Sequence, residues 1–389
     1  MPRDLPGLYW DEERKRYFPL SSKPKAPLPA KNTVTIAPMV QHGPQPLALA
    51  SGKAYSFSER NRTRHKTWCS LVSASSSVTP RNMHLFNDAT SMCFLNNQQA
   101  VVGDKSGWLY TLDPTTKRWV PEINVHPSGI TDIAISENIC VATCLGPVSK
   151  IYARDVSNPD QPITLWQMSS LNDLRKCHLH KRSLLLGAGR KWVHVQLDHV
   201  DFSVSDLNPR MLPSDVLSMS QSDDNLIYAG CRNGSIFQVD LRVKAPQPHE
   251  ILSSSAAKTV GGAVVHLETI RETQLLVSRM NGDLITYDLR YPTYSSPCMT
   301  FKGHVNLYTE RLGVVYDSVE DTLFAAGSDG VVRGWSLRTE DQIFKRDFVV
   351  SANIPSLQLV RNEGGGCVRL LAAQGRQLHE ICMGMRQEV

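Results

Sequence analysis

The chain has 389 residues, 41% of them apolar and 20% charged, with 24 Gly and 23 Pro, a globular rather than a disordered composition. Its formal net charge of +5 is too small an excess to point by itself to nucleic acid or an anionic membrane. The nine Cys, an odd number set mostly among apolar neighbours (Cys93, Cys140, Cys231, Cys382), read as reduced thiols, and no stretch approaches the roughly 18 apolar residues of a membrane span, which excludes a disulfide scaffold and an integral membrane protein.

The charge is unevenly placed. Residues 1 to 66 hold twelve Lys/Arg against five Asp/Glu, which leaves thirty against thirty-two for residues 67 to 389. The chain starts Met1-Pro2-Arg3-Asp4 without an apolar signal core, so the expected location is nucleus and/or cytoplasm, neither secreted nor membrane. Residues 1–65 read as a basic, Pro-rich arm, with the run Lys23-Pro24-Lys25-Ala26-Pro27-Leu28-Pro29 extended and poorly packed. Within the arm, Leu8-Tyr9-Trp10 and Arg16-Tyr17-Phe18 flank a charged stretch and suggest a small aromatic hairpin or a short helix. The run from Arg60 to Lys66 is basic, but no aromatic residues are interleaved with it for stacking on bases, so nucleic-acid contact is not expected.

From about residue 89 onward the sequence repeats. Weak copies of a strand, turn, strand pattern centre on Gly107, Gly146 and Gly189. Three strong copies follow, at Asn233-Gly234, Asn281-Gly282 and Asp329-Gly330, each pair lying between two apolar runs. Such residues supply the positive φ angles of a two-residue hairpin turn. A last copy centres on Gly375. The spacings of these seven glycines are 39, 43, 45, 48, 48 and 45 residues, the period of a four-stranded propeller blade.

This defines an all-β fold, a seven-bladed β-propeller over residues 66–389 with an irregular N-terminal extension. After Ile381 only eight residues remain, too few for another outer strand, so the last blade is expected to take its outer strand from the N-terminal side. The segment Lys66 to Val72 is the expected donor, and the pairing removes an open sheet edge.

The clearest unit, residues 303 to 338, resembles the WD-repeat family. Gly303-His304, Asp329 and Trp335 match three members of that family's Ser/Thr, His, Asp, Trp hydrogen-bond tetrad, while the fourth position falls on Ala325. Val239 and Tyr287 stand at the Trp position elsewhere, so core packing rather than tetrads is expected to hold the blades. The endings Val239-Asp240-Leu241-Arg242 and Tyr287-Asp288-Leu289-Arg290 are similar to the W-D-x-R box of WD-repeat substrate receptors. Leu5 to Glu12, Ala229 to Arg242, Gly303-His304-Val305-Asn306 and Asn353-Ile354-Pro355-Ser356 resemble one family of such receptors, that of the fourth damage-binding-protein- and cullin-four-associated factor, also called WD-repeat protein twenty-one. The resemblance concentrates between about 211 and 360, plus the N-terminal motif, and is poor over 80 to 200.

That resemblance implies a protein-interaction scaffold, a substrate receptor of a cullin-four RING ubiquitin ligase that docks on the damage-binding-protein adaptor as one copy within a larger complex. It assigns Asp240, Arg242, Asp288 and Arg290 to docking, with Arg338 a weaker candidate because Ser336 replaces Asp. The alternative is a WD-repeat scaffold in another nuclear complex, in RNA processing or chromatin, without ligase contact.

No enzyme is expected, since no Gly-x-Ser-x-Gly elbow, phosphate-cradling loop or His-Glu-x-x-His pair occurs. No cofactor or metal is expected either. Cys140 and Cys144 lack a second thiol pair, and strand alternation turns Cys177 away from His178 and His180.

Overall fold

The computed structural model describes residues 8–11, 16–19, 57–74, 78–95, 99–158, 162–198, 208–223, 225–243, 247–253, 262–290, 296–348, 352–361 and 368–383, in two units, Met1–Ala54 and Tyr55–Val389. In the first unit, Leu8–Asp11 pairs antiparallel with Arg16–Pro19, Tyr9 opposite Phe18 and Trp10 opposite Tyr17. Of the two local structures the aromatic motif allows, it is the hairpin that forms. The proline run at 24–29 lies outside the described residues.

The second unit is a seven-bladed propeller of four-stranded antiparallel sheets. The fourth blade comprises Val216–Gln221, Leu226–Cys231, Ile236–Asp240 and His249–Leu252, and the fifth Val264–Ile270, Gln274–Arg279, Leu284–Asp288 and Met299–Thr300. The sixth comprises Val314–Asp317, Thr322–Ala326, Val331–Ser336 and Gln342–Asp347. Second strands such as Ala100–Asp104, Ile139–Cys144 and Thr322–Ala326 are buried at every position. Each lies between two neighbouring sheets, which is why its sequence is a continuous run of apolar and small residues rather than an alternation. The apolar core is accordingly divided among the blade interfaces: Val216 and Phe237 of the fourth blade pack on Leu185 and Trp192 of the third, and Leu323 and Trp335 of the sixth on Leu276 and Phe301 of the fifth.

Antiparallel order fixes two faces. The turns between second and third strands, with the loops that lead to the next blade, make the upper face; the turns between first and second, and third and fourth, make the lower face. The seven repeat glycines all sit in upper-face turns with positive φ, from 52° at Gly189 to 140° at Gly146. Gly107 shows why the residue is fixed there: with φ at 83°, a Cβ would fall 1.6 Å from the His126 carbonyl oxygen, a backbone atom that cannot move aside.

The seventh blade corrects one sequence expectation. Its outer strand is Val78–Asn82, paired with Gln377–Met383, while Lys66 to Val72 lies in a helix, α1 (Phe57–Ala74). The boundary drawn between residues 65 and 66 therefore falls inside α1. The helix follows from spacing: His65 and Val72 are buried and Asn61, Trp68 and Cys69 half-buried, while Arg62, Thr63, Arg64, Lys66, Thr67 and Ser70 are exposed, the three-to-four-residue period of one helical face. Val72 and Trp68 enter the cluster between the sixth and seventh blades, with Phe344, Leu357 and Leu370. Arg361 lies 6.0 Å from the Trp68 ring centroid and pairs with Asp317.

Candidate protein-docking face

The two Asp-x-Leu-Arg endings leave the third strands of adjacent blades on the lower face, and their geometry is the same. In the fourth blade, Asp240 Oδ1 accepts the Arg242 backbone N–H (3.0 Å) and its Nε–H (2.9 Å), while Oδ2 accepts from Nη2 (2.6 Å). In the fifth, Asp288 takes the Arg290 backbone N–H (2.9 Å), Nε (2.9 Å) and Nη2 (2.5 Å) in the same pattern. The intervening Leu241 and Leu289 pack into the blade clusters. Each carboxylate thus caps the turn and clamps a guanidinium, while both arginine side chains stay exposed, 66% and 64%. The hydrogen bonds from Arg290 hold the Asp288 carboxyl down at about 2, and those from Arg242 lower Asp240 likewise. These are exposed pairs and contribute little to stability. What they do is hold the planar donor fork of each arginine in one orientation toward solvent, the preparation that recognition of a carboxylate or carbonyl group needs.

The third ending departs from this arrangement. Ser336 Oγ accepts the Arg338 backbone N–H (3.2 Å), keeping the turn, but a hydroxyl cannot clamp a guanidinium. Arg338 Nε reaches Asp321 instead (3.3 Å), and its Nη1 reaches the carbonyl oxygen of Asn61 on α1 (3.4 Å). Asp321 also takes Arg271 of the fifth blade through two bonds (2.8 and 2.6 Å) and the Tyr316 hydroxyl (3.2 Å). Burial works to raise the Asp321 pKa, but these donors outweigh it and the pKa is lowered. The sequence signals neither Arg271 nor Asp321: they stand fifty residues apart in first-to-second-strand turns, and only closure of adjacent blades joins them.

Ser336 also serves α1. The ring of His65 sits between Ser336 Oγ (2.7 Å from Nε2) and the Glu320 carbonyl oxygen (2.9 Å from Nδ1), and Arg64 bonds the Glu320 carboxylate (2.5 Å). An Nδ1–H donating to the carbonyl leaves Nε2 to accept from the hydroxyl. Burial and the nearby Arg338 charge lower the His65 pKa. The expected result of His65→Ala is loss of both bonds, about 1–2 kcal/mol. Hydrogen exchange of α1 amides should then quicken roughly tenfold while blade amides keep their protection. Unchanged exchange in α1 would show that the helix is held by its other contacts, the packing of Trp68 and Val72 and the bonds at Asn61, Arg64 and Ser73.

The expected tetrad residues, Asp329 in the upper-face turn of the sixth blade, His304 in the loop before that blade and Trp335 on its third strand, form no relay. The Trp335 indole N–H donates to the Lys302 carbonyl (3.0 Å), and Asp329 takes Arg333 (3.1 and 2.6 Å). His304 stands edge-on to Trp335, 6.4 Å between ring centroids, and neither ring nitrogen has a hydrogen-bond partner among the described residues. Two residues explain the departure. Ala325 offers no hydroxyl, and the largely buried Arg333 needs the carboxylate that would otherwise engage His304.

Cys140, Cys144 and Cys177 are buried in blade packing, and the ring of His178 accepts a bond from the Gln221 backbone N–H (3.3 Å). Among the described residues no group of three or more His, Cys, Asp or Glu is placed to hold a metal ion, and no helix is long and apolar enough to cross a membrane.

Seven blades of this connectivity, closed by an N-terminal strand and bearing Asp-x-Leu-Arg endings, define a WD-repeat β-propeller. The WD40 propeller domain of Doa1 superposes with a TM-score of 0.60 at 11% identity, over 80% of this chain and 97% of that one. No protein-family model matches the chain. Among WD-repeat proteins it resembles the WD-repeat protein 21 and DDB1- and CUL4-associated factor 4 group. It is 23% identical to WD repeat-containing protein 21 of Schizosaccharomyces pombe, over 86% of this chain and 88% of that protein. Identity is 34% to DDB1- and CUL4-associated factor 4-like protein 2 of Homo sapiens, over 41% of this chain and 40% of that protein. A WD repeat-containing protein of Caenorhabditis elegans is 35% identical over 31% of this chain, a match that spans only 21% of the worm protein's length.

Proposed function

We propose that the chain is a non-catalytic substrate receptor of a cullin-four RING ubiquitin ligase, docking through its lower face on the damage-binding-protein adaptor. The observation that carries this reading is the pair of identical Asp-clamped arginines on adjacent blades, Asp240–Arg242 and Asp288–Arg290. A single such closure is an ordinary strand ending. Two in register, both with the guanidinium presented outward, make a surface. Arg338, 39% exposed, and the basic outer side of α1 (Arg62, Arg64, Lys66) extend the proposed contact. In this reading the receptor holds a target near the ligase's other subunits, which supply the chemistry, so that ubiquitin transfer gains from proximity. Such a role places the protein in the nucleus or cytoplasm, as one copy within a larger complex.

Titration calorimetry of the purified chain into the purified adaptor tests the reading directly. Saturable one-to-one binding is the expected result. Absence of binding by a folded chain would leave the lower-face boxes as strand closures and favour a scaffold role in another nuclear complex.

A further inference from the structure

The first strands of all seven blades line the central channel, and at its upper mouth the charges do not cancel. Lys105 pairs with Asp88 (2.9 Å), Lys176 with Asp132 (2.9 Å), and Arg175 with both oxygens of Glu310 (2.9 and 3.1 Å). Arg311 is left over. Among the described residues its one hydrogen bond is a long contact to the Ile130 carbonyl oxygen (3.5 Å). Desolvation dominates its surroundings and lowers its pKa, against the pull of the already paired Asp132 and Glu310. A recessed guanidinium without a carboxylate of its own is costly to the free protein and is a ready site for an anion.

The loop that leads into Arg311 also exposes two apolar residues on the upper face, outside the vestibule of the channel and over the turns at Met280 and Ser328. Leu307 and Tyr308 are 73% and 78% exposed, yet they are rigidly held: the buried Asn306 bonds Thr309 N–H (2.8 Å) and carbonyl (3.0 Å), and Tyr308 N–H donates to Met280 O (3.1 Å). Tyr308 sits at φ 57°, a backbone conformation that costs energy for a residue with a side chain. Two residues later the chain turns Glu310 and Arg311 inward. Behind them lies a channel cavity of about 200 Å³, lined by Ser91, Asp132, Lys176, His266 and Gln358, and in front a wider vestibule of about 550 Å³.

We propose that this mouth binds an extended acidic segment of a protein partner, one Asp or Glu carboxylate entering against Arg311 while flanking apolar residues cover Leu307 and Tyr308. The single uncompensated charge suits a carboxylate better than a phosphate dianion. An exposed Tyr on a fixed loop, three residues before a desolvated Arg, supplies two of the residue types that interface hot spots favour. Calling that partner the ligase's target rests on the receptor reading above. The binding itself does not, and its test needs no adaptor.

The experiment is an array of capped nonapeptides with Glu, Gln or phosphoserine at the centre and randomised flanks, probed with the full chain and followed by calorimetry of the strongest binders. Glu-centred peptides with apolar flanks are expected to bind, and their Gln counterparts at least tenfold more weakly. Arg311→Gln should lose at least tenfold with no fall in melting temperature. Should that variant melt lower, the surface pair Leu307→Ser and Tyr308→Ser supplies the check, with an expected loss of at least fivefold. Equal binding of Glu and Gln peptides, tighter binding of phosphoserine, no binder in the array, or full affinity in the folded variants would each overturn the proposal.

Discussion

Lowering the pH from 7 to 4 is expected to cost the propeller about 3 kcal/mol through His304 alone. Burial, reinforced by the Arg333 charge and only partly opposed by Asp329, pushes the His304 pKa from 6.5 down to about 4. Between those two values the unfolded chain binds a proton that the folded chain refuses, so stability falls steadily as pH drops through this window. The same direction holds at His178, lowered to about 4 by burial and the nearby Lys176 and His180, and at His65, His194 and His379. The carboxylates act lower on the scale: Asp288, Asp240, Asp321 and Asp329 are all shifted below 3.8, and their contributions are lost only as pH falls from there. The interval between 6.5 and 4 therefore isolates the histidines. Urea unfolding at pH 7, 5.5 and 4.5 should show the decline, and His304→Leu, which keeps an apolar group beside Trp335, should flatten it by most of its 3 kcal/mol. An identical pH slope in the variant would mean that the ring takes up its proton in the folded state at an ordinary pKa.

How much of this was legible in sequence depended on which face of a sheet was speaking. The turn glycines and the Asp-x-Leu-Arg endings are local devices, complete within ten residues, and they located the blades and both clamped arginines. The closing strand has no such signature. Val78–Asn82 shows one half-buried residue followed by four exposed ones, because an outer strand packs on one edge only, and Pro80 is tolerated there since the outer edge needs no N–H donor. The apolar residues of 66 to 72 drew the strand assignment, although their spacing at 68, 69 and 72, with His65 before them, already belonged to a helix. The Ser at 336 read as a weakened box. In the structure it is the residue that frees Arg338 for Asp321 and Asn61 and gives His65 its hydroxyl. That exchange joins positions more than 250 residues apart and leaves no trace in either local pattern.

Replacing Arg242 and Arg290 together by Ala is expected to weaken adaptor binding at least tenfold while leaving the propeller folded. Neither arginine fills a core position, and each forms its ion pair at the surface with an Asp two residues before it, so the fold has little to lose. The binding surface has more to lose, because desolvated arginine contacts at the centre of an interface are worth 1–2 kcal/mol or more each. The clamps allow a sharper separation of roles. Asp240→Asn with Asp288→Asn keeps the turn caps, since an amide oxygen still accepts the backbone N–H, but frees the guanidinium groups to rotate. A loss smaller than that of the double Ala variant, seen chiefly as faster dissociation, is the outcome if the carboxylates act by holding the arginines in place. Affinity equal to wild type in the folded Arg242→Ala/Arg290→Ala chain would remove the boxes from docking and leave α1 and Arg338 as the contact to dissect. Circular dichroism and the urea midpoint of each variant, measured beside the titrations, distinguish a lost contact from a lost fold.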